Sequence, residues 1–327
     1  MYDKFYHLAG IPFLLTPDSR FFFGSSGHSR AIAHLVYGLA QEEGFIVITG
    51  EVGAGKTTLV EQLWSQLDRQ NYVIARVVTT QVSPDDLLRL VMANFGIGDT
   101  PGLDKATLLR RFEFMVEEQR RIGRRCLLVV DEVQNLPLAA LEELRMLSNI
   151  TVDGKASLQT ILLGQPQFRP ILASRDAEQL RQRVLASYHL GPLTEAETRG
   201  YIEHRLKTVK WENDPGWDGD AFSAVYRCTG GIPRRINTLC SRVLLYGALE
   251  ELHTITADMV ETTAGELNQD LGAGLAPAPP PSLVNGADRE QEGILRRIEA
   301  LEASSLRQER VFRRMLDLLE AGREGPR

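Results

Sequence analysis

Three features of the sequence predict an α/β fold, a parallel sheet flanked by helices with a small all-helical lid behind it. A glycine-rich turn, Gly50-Glu51-Val52-Gly53-Ala54-Gly55-Lys56-Thr57, stands between a short apolar run and a helical pattern. Further on, the apolar run Cys126-Leu127-Leu128-Val129-Val130 ends in Asp131-Glu132, as a central parallel strand with a site at its C-terminal edge should. From Gly191 onward, strand-like runs give way to helical periodicity.

The glycine-rich turn fits the phosphate-binding P-loop pattern G-x-x-x-x-G-K-[ST]. Phe45-Ile46-Val47-Ile48 before it reads as a buried strand, and Leu59, Val60, Leu63, Trp64 and Leu67 after it share one helical face. A strand, a turn and a helix start together make an anion site. Backbone N–H groups without intrahelical partners point outward there, and the helix dipole favours negative charge. Gly50, Gly53 and Gly55 permit close phosphate approach. Glu51, Val52, Ala54 and Thr58 complete the expected nucleotide cradle. Lys56 would reach the β- and γ-phosphates of ATP, and Thr57 would offer its hydroxyl to Mg²⁺.

Length and composition agree. The chain has 327 residues, enough for more than one packed unit, with 43% hydrophobic and 24% charged residues. A net charge of −6 gives no domain-wide basic field to announce nucleic acid or an acidic membrane. Cys126, Cys228 and Cys240 lack metal or redox spacing, and Cys126 in an apolar run and Cys240 in a helix suit buried, reduced thiols in a cytosolic setting. No apolar run approaches the roughly 18 residues a membrane span needs, and the N-terminus is not a signal peptide. The six histidines show no metal-ligand spacing and are expected to be structural.

In chain order, residues 1–42 form a lead-in packed on the core; it could also line the adenine pocket. A helix is expected from about Ser29 to Ala40 and a strand over 71–80. Ser83-Pro84-Asp85-Asp86 starts the next helix with an N-cap, a proline at N1 and acids in the first turn. Another helix spans about Lys105 to Arg121. The basic cluster Arg120 to Arg125 at its end could touch phosphate or an acidic partner, or be a solvated helix end. Asp131 is expected in the Mg²⁺ shell, and Glu132 is expected to orient and deprotonate the attacking water. A helix over Leu138–Ile150 and a strand over Leu158–Leu163 follow. Gln165, at that strand's tip, could touch the γ-phosphate or the water, or be an ordinary turn residue. A helix over Ala177–Arg183 leads to a strand over Ala186–Leu190, and Arg181 and Arg183 stand where an arginine could cross to another protomer's nucleotide. The core thus covers 43–190.

The lid, 191–270, is read as helices only: Glu195–Lys207, Gly219–Cys228, Pro233–Gly247 and Thr256–Leu267. Gly230-Gly231-Ile232-Pro233-Arg234-Arg235 puts cations in a helix's first turn, which is unfavourable unless an anion is near. Arg234 is therefore expected to face the nucleotide phosphates. A Pro/Ala/Gly-rich linker occupies 271–288. Over 289–321, Ile294, Ile298, Leu301, Ser305, Gln308, Phe312, Met315 and Leu319 make a short heptad seam in a helical or coiled-coil tail. It could self-associate, dock on a partner helix or pack back on the lid.

The order of P-loop, Asp131-Glu132, Gln165-tipped strand, Arg183 and Gly231-Ile232-Pro233-Arg234 resembles an AAA+ ATPase with its helical lid. More narrowly, Tyr2 to Pro17, the P-loop, Asp131-Glu132-Val133-Gln134-Asn135-Leu136 and Leu163-Gly164-Gln165-Pro166-Gln167 resemble the ExeA/GspA-type secretion ATPases, within them the subgroup of exosortase (PEP-CTERM) and exopolysaccharide loci. The resemblance spans residues 1 to about 270 and implies ATP with Mg²⁺. Lys56 and Thr57 would serve phosphate and metal, Asp131 and Glu132 the second acidic motif, and Gln165 the sensor position. Arg183 would be the finger and Arg234 the second sensor. Those relatives continue into a membrane span and a peptidoglycan-binding part, where this chain enters its linker. That departure implies a cytoplasmic ATPase, or one peripheral to the inner membrane through a partner bound by the tail. Three functions follow: an oligomeric ATPase driving or gating an envelope export or polysaccharide system, a DNA-associated ATPase of the transposition-targeting type, or a nucleotide-bound scaffold with little turnover.

Overall fold

The computed structural model describes residues 2–272 apart from 17, 69, 79–81, 99, 153 and 157. The expected linker (271–288) and heptad seam (289–321) lie outside the described residues, save the first two positions. Two compact units are distinguished, Met1–Ala248 with Leu252–Ala264, and Leu249–Glu251 with Gly265–Arg327. Everything that follows concerns the first.

Its centre is a five-stranded parallel sheet of β1 (Phe45–Gly50), β2 (Tyr72–Val77), β3 (Arg125–Val130), β4 (Leu158–Gly164) and β5 (Val184–Leu190), in the order β2-β3-β4-β1-β5. Burial sorts centre from edge. Strands β1 and β4 are buried at every position, whereas β2 and β5 at the edges are only partly so. Strands buried on both faces are near-continuous apolar runs for this reason.

Alternation divides the two faces. Phe45, Val47, Leu128, Val130 and Leu162 pack beneath α3 (Pro84–Asn94), α4 (Lys105–Arg121) and α5 (Leu138–Leu147). Ile46, Ile48, Leu127, Val129, Ile161 and Leu163 pack against α1 (Ser26–Ala40) and α2 (Lys56–Gln66). Each fully buried aliphatic side chain is worth roughly 1.5–3 kcal/mol relative to exposure. Ser25, Ser83 and Asp104 cap α1, α3 and α4 through side-chain oxygens, whereas α2 begins at Gly55 with no side-chain cap. Strand β1 therefore delivers the chain to an open helix N-terminus.

The lid holds α6 (Glu195–Thr208), α7 (Gly219–Thr229), α8 (Pro233–Leu249) and α9 (Ala257–Gly272). It is not all-helical: Gly216–Trp217 pairs in parallel with Thr254–Ile255. Two-residue strands carry no readable alternation, which is why the sequence pattern concealed them. The lead-in divides its packing. Tyr2, Tyr6, Leu8, Phe13 and Phe21 join the lid core, whereas Ala31, Leu35 and Leu39 of α1 join the sheet. Arg205 of α6 straps the two together, donating from Nε to the Pro12 carbonyl at 2.6 Å and from Nη2 to that of Leu14 at 3.3 Å. Element ends shift from the sequence expectation by a few residues. The helix expected over 177–183 spans only Glu178–Arg181, and β5 starts at Val184. A helical turn at Phe168–Ala173 and a small antiparallel pair, Thr151–Val152 with Lys155–Ala156, were not expected at all.

The joint between β5 and α8 depends on Gly231. Its φ is +72° and its carbonyl accepts from the Leu193 N–H at 2.9 Å, so a Cβ there would collide with the Leu193 carbonyl. Gly231→Ala should therefore destabilise the protein by about 1–3 kcal/mol, read as a drop in thermal midpoint. An unchanged midpoint would show that the joint can yield.

Candidate active site

The open N-terminus of α2 faces a cavity of about 370 Å³, bordered by Phe22 and His28 of the lead-in, Lys56 and Thr57 of the P-loop, Glu132, and Arg234 of the lid. This volume lies in the ordinary range for small-ligand sites. Lys56 is only 6% exposed and donates to the carbonyls of Gly50 at 2.8 Å and Glu51 at 3.0 Å. Burial lowers its ammonium pKa, against the opposing pull of Glu132, Asp131 and Glu51. A buried cation beside an uncapped helix start is a site asking for an anion.

Strand β3 carries Asp131 to the same end of the sheet. Its Oδ2 accepts from Thr57 Oγ1 at 2.9 Å and from Arg76 Nη2 at 3.0 Å, and its Oδ1 from the Glu132 N–H at 3.0 Å. Thr57 and Asp131, the expected metal pair, are thus in direct contact. Both are hard oxygen donors suited to Mg²⁺. Among the described residues no group of three His, Cys, Asp or Glu could hold a metal alone, so an ion here must lean on ligand phosphates and water. That is the usual habit of Mg²⁺.

Glu132 has φ +52°, a left-handed conformation rare outside glycine. The turn sends its carboxylate back over the tip of β4. There Oε2 accepts from Gln165 Nε2 at 2.9 Å and from Gln134 Nε2 at 2.6 Å. Gln134 Oε1 in turn accepts from the Gln165 N–H at 2.9 Å. Burial alone would raise the carboxyl pKa, yet the two amides and the Lys56 charge outweigh it and hold Glu132 below the ordinary glutamate value. The residue expected to take a proton from water is therefore kept ionised.

The lid reaches the loop directly, since the Arg234 N–H donates to the Gly53 carbonyl at 3.2 Å and a Cβ on Gly53 would collide with Arg234. Gly50 to Thr58, Asp131, Glu132, Gln165 and Arg234 therefore meet at one end of the sheet. Arg183 does not meet them. Its carbonyl accepts from the Phe45 N–H at the start of β1, and its Nη1 points to Ser148 at 3.4 Å. That is a strand length, roughly 20 Å, from the P-loop of its own chain. Arg181 likewise turns to the Ala173 carbonyl at 3.1 Å. Three site residues escaped sequence reasoning: Gln134, Arg76 and His28. Gln134 was within the quoted Asp131–Leu136 stretch, but only the left-handed turn at Glu132 reveals its role.

Comparison with known proteins agrees with this geometry. Residues 39–172 match the AAA domain family. General secretion pathway protein A of Aeromonas hydrophila is 34% identical over 271 residues, covering 82% of this chain and 49% of that protein. The chain thus spans about half the length of that curated relative. Among solved structures, Cdc6p of Pyrobaculum aerophilum superposes with a TM-score of 0.63 at 16% identity, covering 80% of this chain and 75% of that one. The Aeropyrum pernix ORC2 protein gives 0.57 at 15% identity, with the same coverages. These likenesses concern the fold. The chain carries an AAA domain over residues 39–172 and has the P-loop AAA+ fold, and it is similar to general secretion pathway protein A across the span they share.

Proposed function

We propose that the chain hydrolyses ATP to drive or gate assembly of an envelope secretion or exopolysaccharide export system, within the exosortase-associated subgroup. The observation that supports hydrolysis over mere binding is the Glu132 carboxylate, kept ionised by two amides beside the phosphate cradle. The 34% identity to a general secretion pathway protein supports the setting. In this reading the triphosphate lies on the N–H groups of Gly53 to Thr58, with Lys56 leaving its two carbonyls for the β- and γ-phosphates. Thr57 and Asp131 would hold Mg²⁺, which would neutralise phosphate charge. Glu132 accepts the proton of a water held by Gln165. The water oxygen bonds to the γ-phosphorus as the bond to the bridging oxygen breaks, releasing ADP and phosphate. Arg234 closes over the phosphates from the lid.

Arg183, facing away from its own nucleotide, fits a role toward a neighbouring protomer's in a homo-oligomer, where such a cation can be worth about 10³–10⁵ in rate. The tail over 289–321 would dock the machinery. No described helix is long and apolar enough to cross a membrane, consistent with attachment through a partner. Nothing specific in the site favours the DNA-associated alternative.

Lys56→Ala should abolish ATP retention on a filter, whereas Glu132→Gln should retain ATP and lose phosphate release. If Glu132→Gln still turns over at the wild-type rate, the chain is a scaffold and Glu132 no base. Turnover per protomer should rise with protein concentration and collapse in Arg183→Ala; concentration-independent turnover would remove the trans arginine.

A pH profile examines the amide clamp. Glu132 is depressed in the fold, so its base role is present above that value and lost as pH falls through it. Wild-type kcat/KM should show no acid limb from Glu132 above the ordinary carboxylate value of about 4.3. Removing both amides, in Gln134→Leu/Gln165→Leu, leaves burial opposed only by the Lys56 charge, so the acid limb should move upward in pH. An unmoved limb would show that the clamp only positions the group.

A further inference from the structure

His28 was expected to be structural, yet its surroundings are those of a ligand-binding group. It is 94% buried, being 6% exposed, in the first turn of α1. Its imidazole borders the nucleotide cavity, with Nε2 only 2.9 Å from where a Cβ on Gly55 would stand. Gly55 is the uncapped start of α2.

The other ring nitrogen is committed. Nδ1 lies 2.7 Å from Ser25 Oγ, and that oxygen already accepts the His28 N–H at 3.2 Å. That bond uses one lone pair of the oxygen, and the serine hydroxyl has its proton free to give to Nδ1. The hydrogen of the neutral ring then sits on Nε2. Neutrality is itself favoured: burial pushes the imidazole down, and two helix N-termini nearby disfavour a cation, against a weaker pull from Glu197. Nε2 has no hydrogen-bond partner among the described residues and opens on the cavity beside the phosphate cradle. A ligand oxygen would there take the place of water at the ring nitrogen.

The ring is also held rigidly. Phe22 meets it edge-on at 5.6 Å, and the Ser26 N–H at the start of α1 donates to Glu197 Oε1 of the lid at 2.8 Å. The same carboxylate closes the capping box of α6 through Thr194.

We propose that His28 is a nucleotide-binding residue whose Nε2–H donates to a phosphate or ribose oxygen of the bound adenine nucleotide. The proposal rests on the nucleotide reading above. Two substitutions separate a donor from a packing role: His28→Gln keeps an N–H donor, and His28→Phe keeps the volume without one. In calorimetric titration of the full chain with Mg²⁺ and ADP, His28→Phe should bind about tenfold or more weakly, and His28→Gln within about threefold of wild type. The melting temperatures without nucleotide should stay matched. Equal affinity for all three proteins, or tighter binding by Phe than by Gln, would overturn the assignment. With 2′-deoxy-ADP and 3′-deoxy-ADP, a phosphate acceptor leaves the Phe penalty intact, and a ribose acceptor removes it with one of them. Wild-type protein that binds no ADP would overturn the nucleotide reading itself.

Discussion

An uncapped helix N-terminus beside a buried lysine is the constraint on which the site depends. Of the helices that cover the sheet, α1, α3 and α4 close their first turns with Ser25, Ser83 and Asp104, whereas α5 follows Pro137 without a side-chain cap. Helix α2 leaves its own N–H groups to whatever enters the cavity. Lys56 adds a charge whose hydration burial has removed and whose present partners are two neutral carbonyls. Either feature alone is tolerable, because water or a carbonyl can meet part of the demand. Together they favour a multiply charged ligand, since one phosphate chain can satisfy both at once. The stability that keeps this open loop in place comes from beneath it, where every residue of β1 is buried between two helical layers.

Strand order brings the carboxylates and an amide to that anion site. Strand β4 lies between β1, which carries the P-loop, and β3, which carries the carboxylates. Its tip residue Gln165 therefore emerges between the two, within 2.9 Å of Glu132. The left-handed backbone at Glu132 belongs to the same design. Such conformations cost of order 1–3 kcal/mol and persist where surroundings over-determine them. Here the surroundings are the two amides and the Asp131 carboxylate that accepts the Glu132 N–H.

Much of this was legible in the sequence because its signals are local. The P-loop, the apolar run ending in Asp131-Glu132, and the cap at Ser83 are contiguous patterns, and each sits where expected. What escaped depends on contacts between distant segments or on backbone angles. Nothing contiguous ties His28 to Gly55, and nothing in the string discloses a positive φ at Glu132. Arg76 sits mid-strand, where alternation alone gave no reason to bring it to Asp131 across β2 and β3. The lid's parallel bridge escaped because two residues cannot display a period. Cys126 followed expectation: burial pushes its thiol up to about 12, leaving it inert.

The lid and the lead-in behave as one wall of the cavity, although they lie far apart in the chain. The Ala9 N–H donates to the Val209 carbonyl at 2.8 Å, Arg205 holds Pro12 and Leu14, and its guanidinium covers the Phe21 ring at 4.6 Å. Residues 2–21 therefore travel with the lid, while α1, which follows them directly, is fixed to the sheet by Leu35 and Leu39. The chain joins sheet and lid between Leu190 and Thr194, and again between Phe21 and Ser26, the stretch that holds Phe22 and ends at the Ser26–Glu197 contact. That stretch borders the nucleotide cavity. A ligand placed between Arg234 and the P-loop would therefore also lie beside this connection, because Phe22 lines the same cavity. The P-loop, the lead-in and the lid wall that cavity together, so its shape depends on how the lid sits.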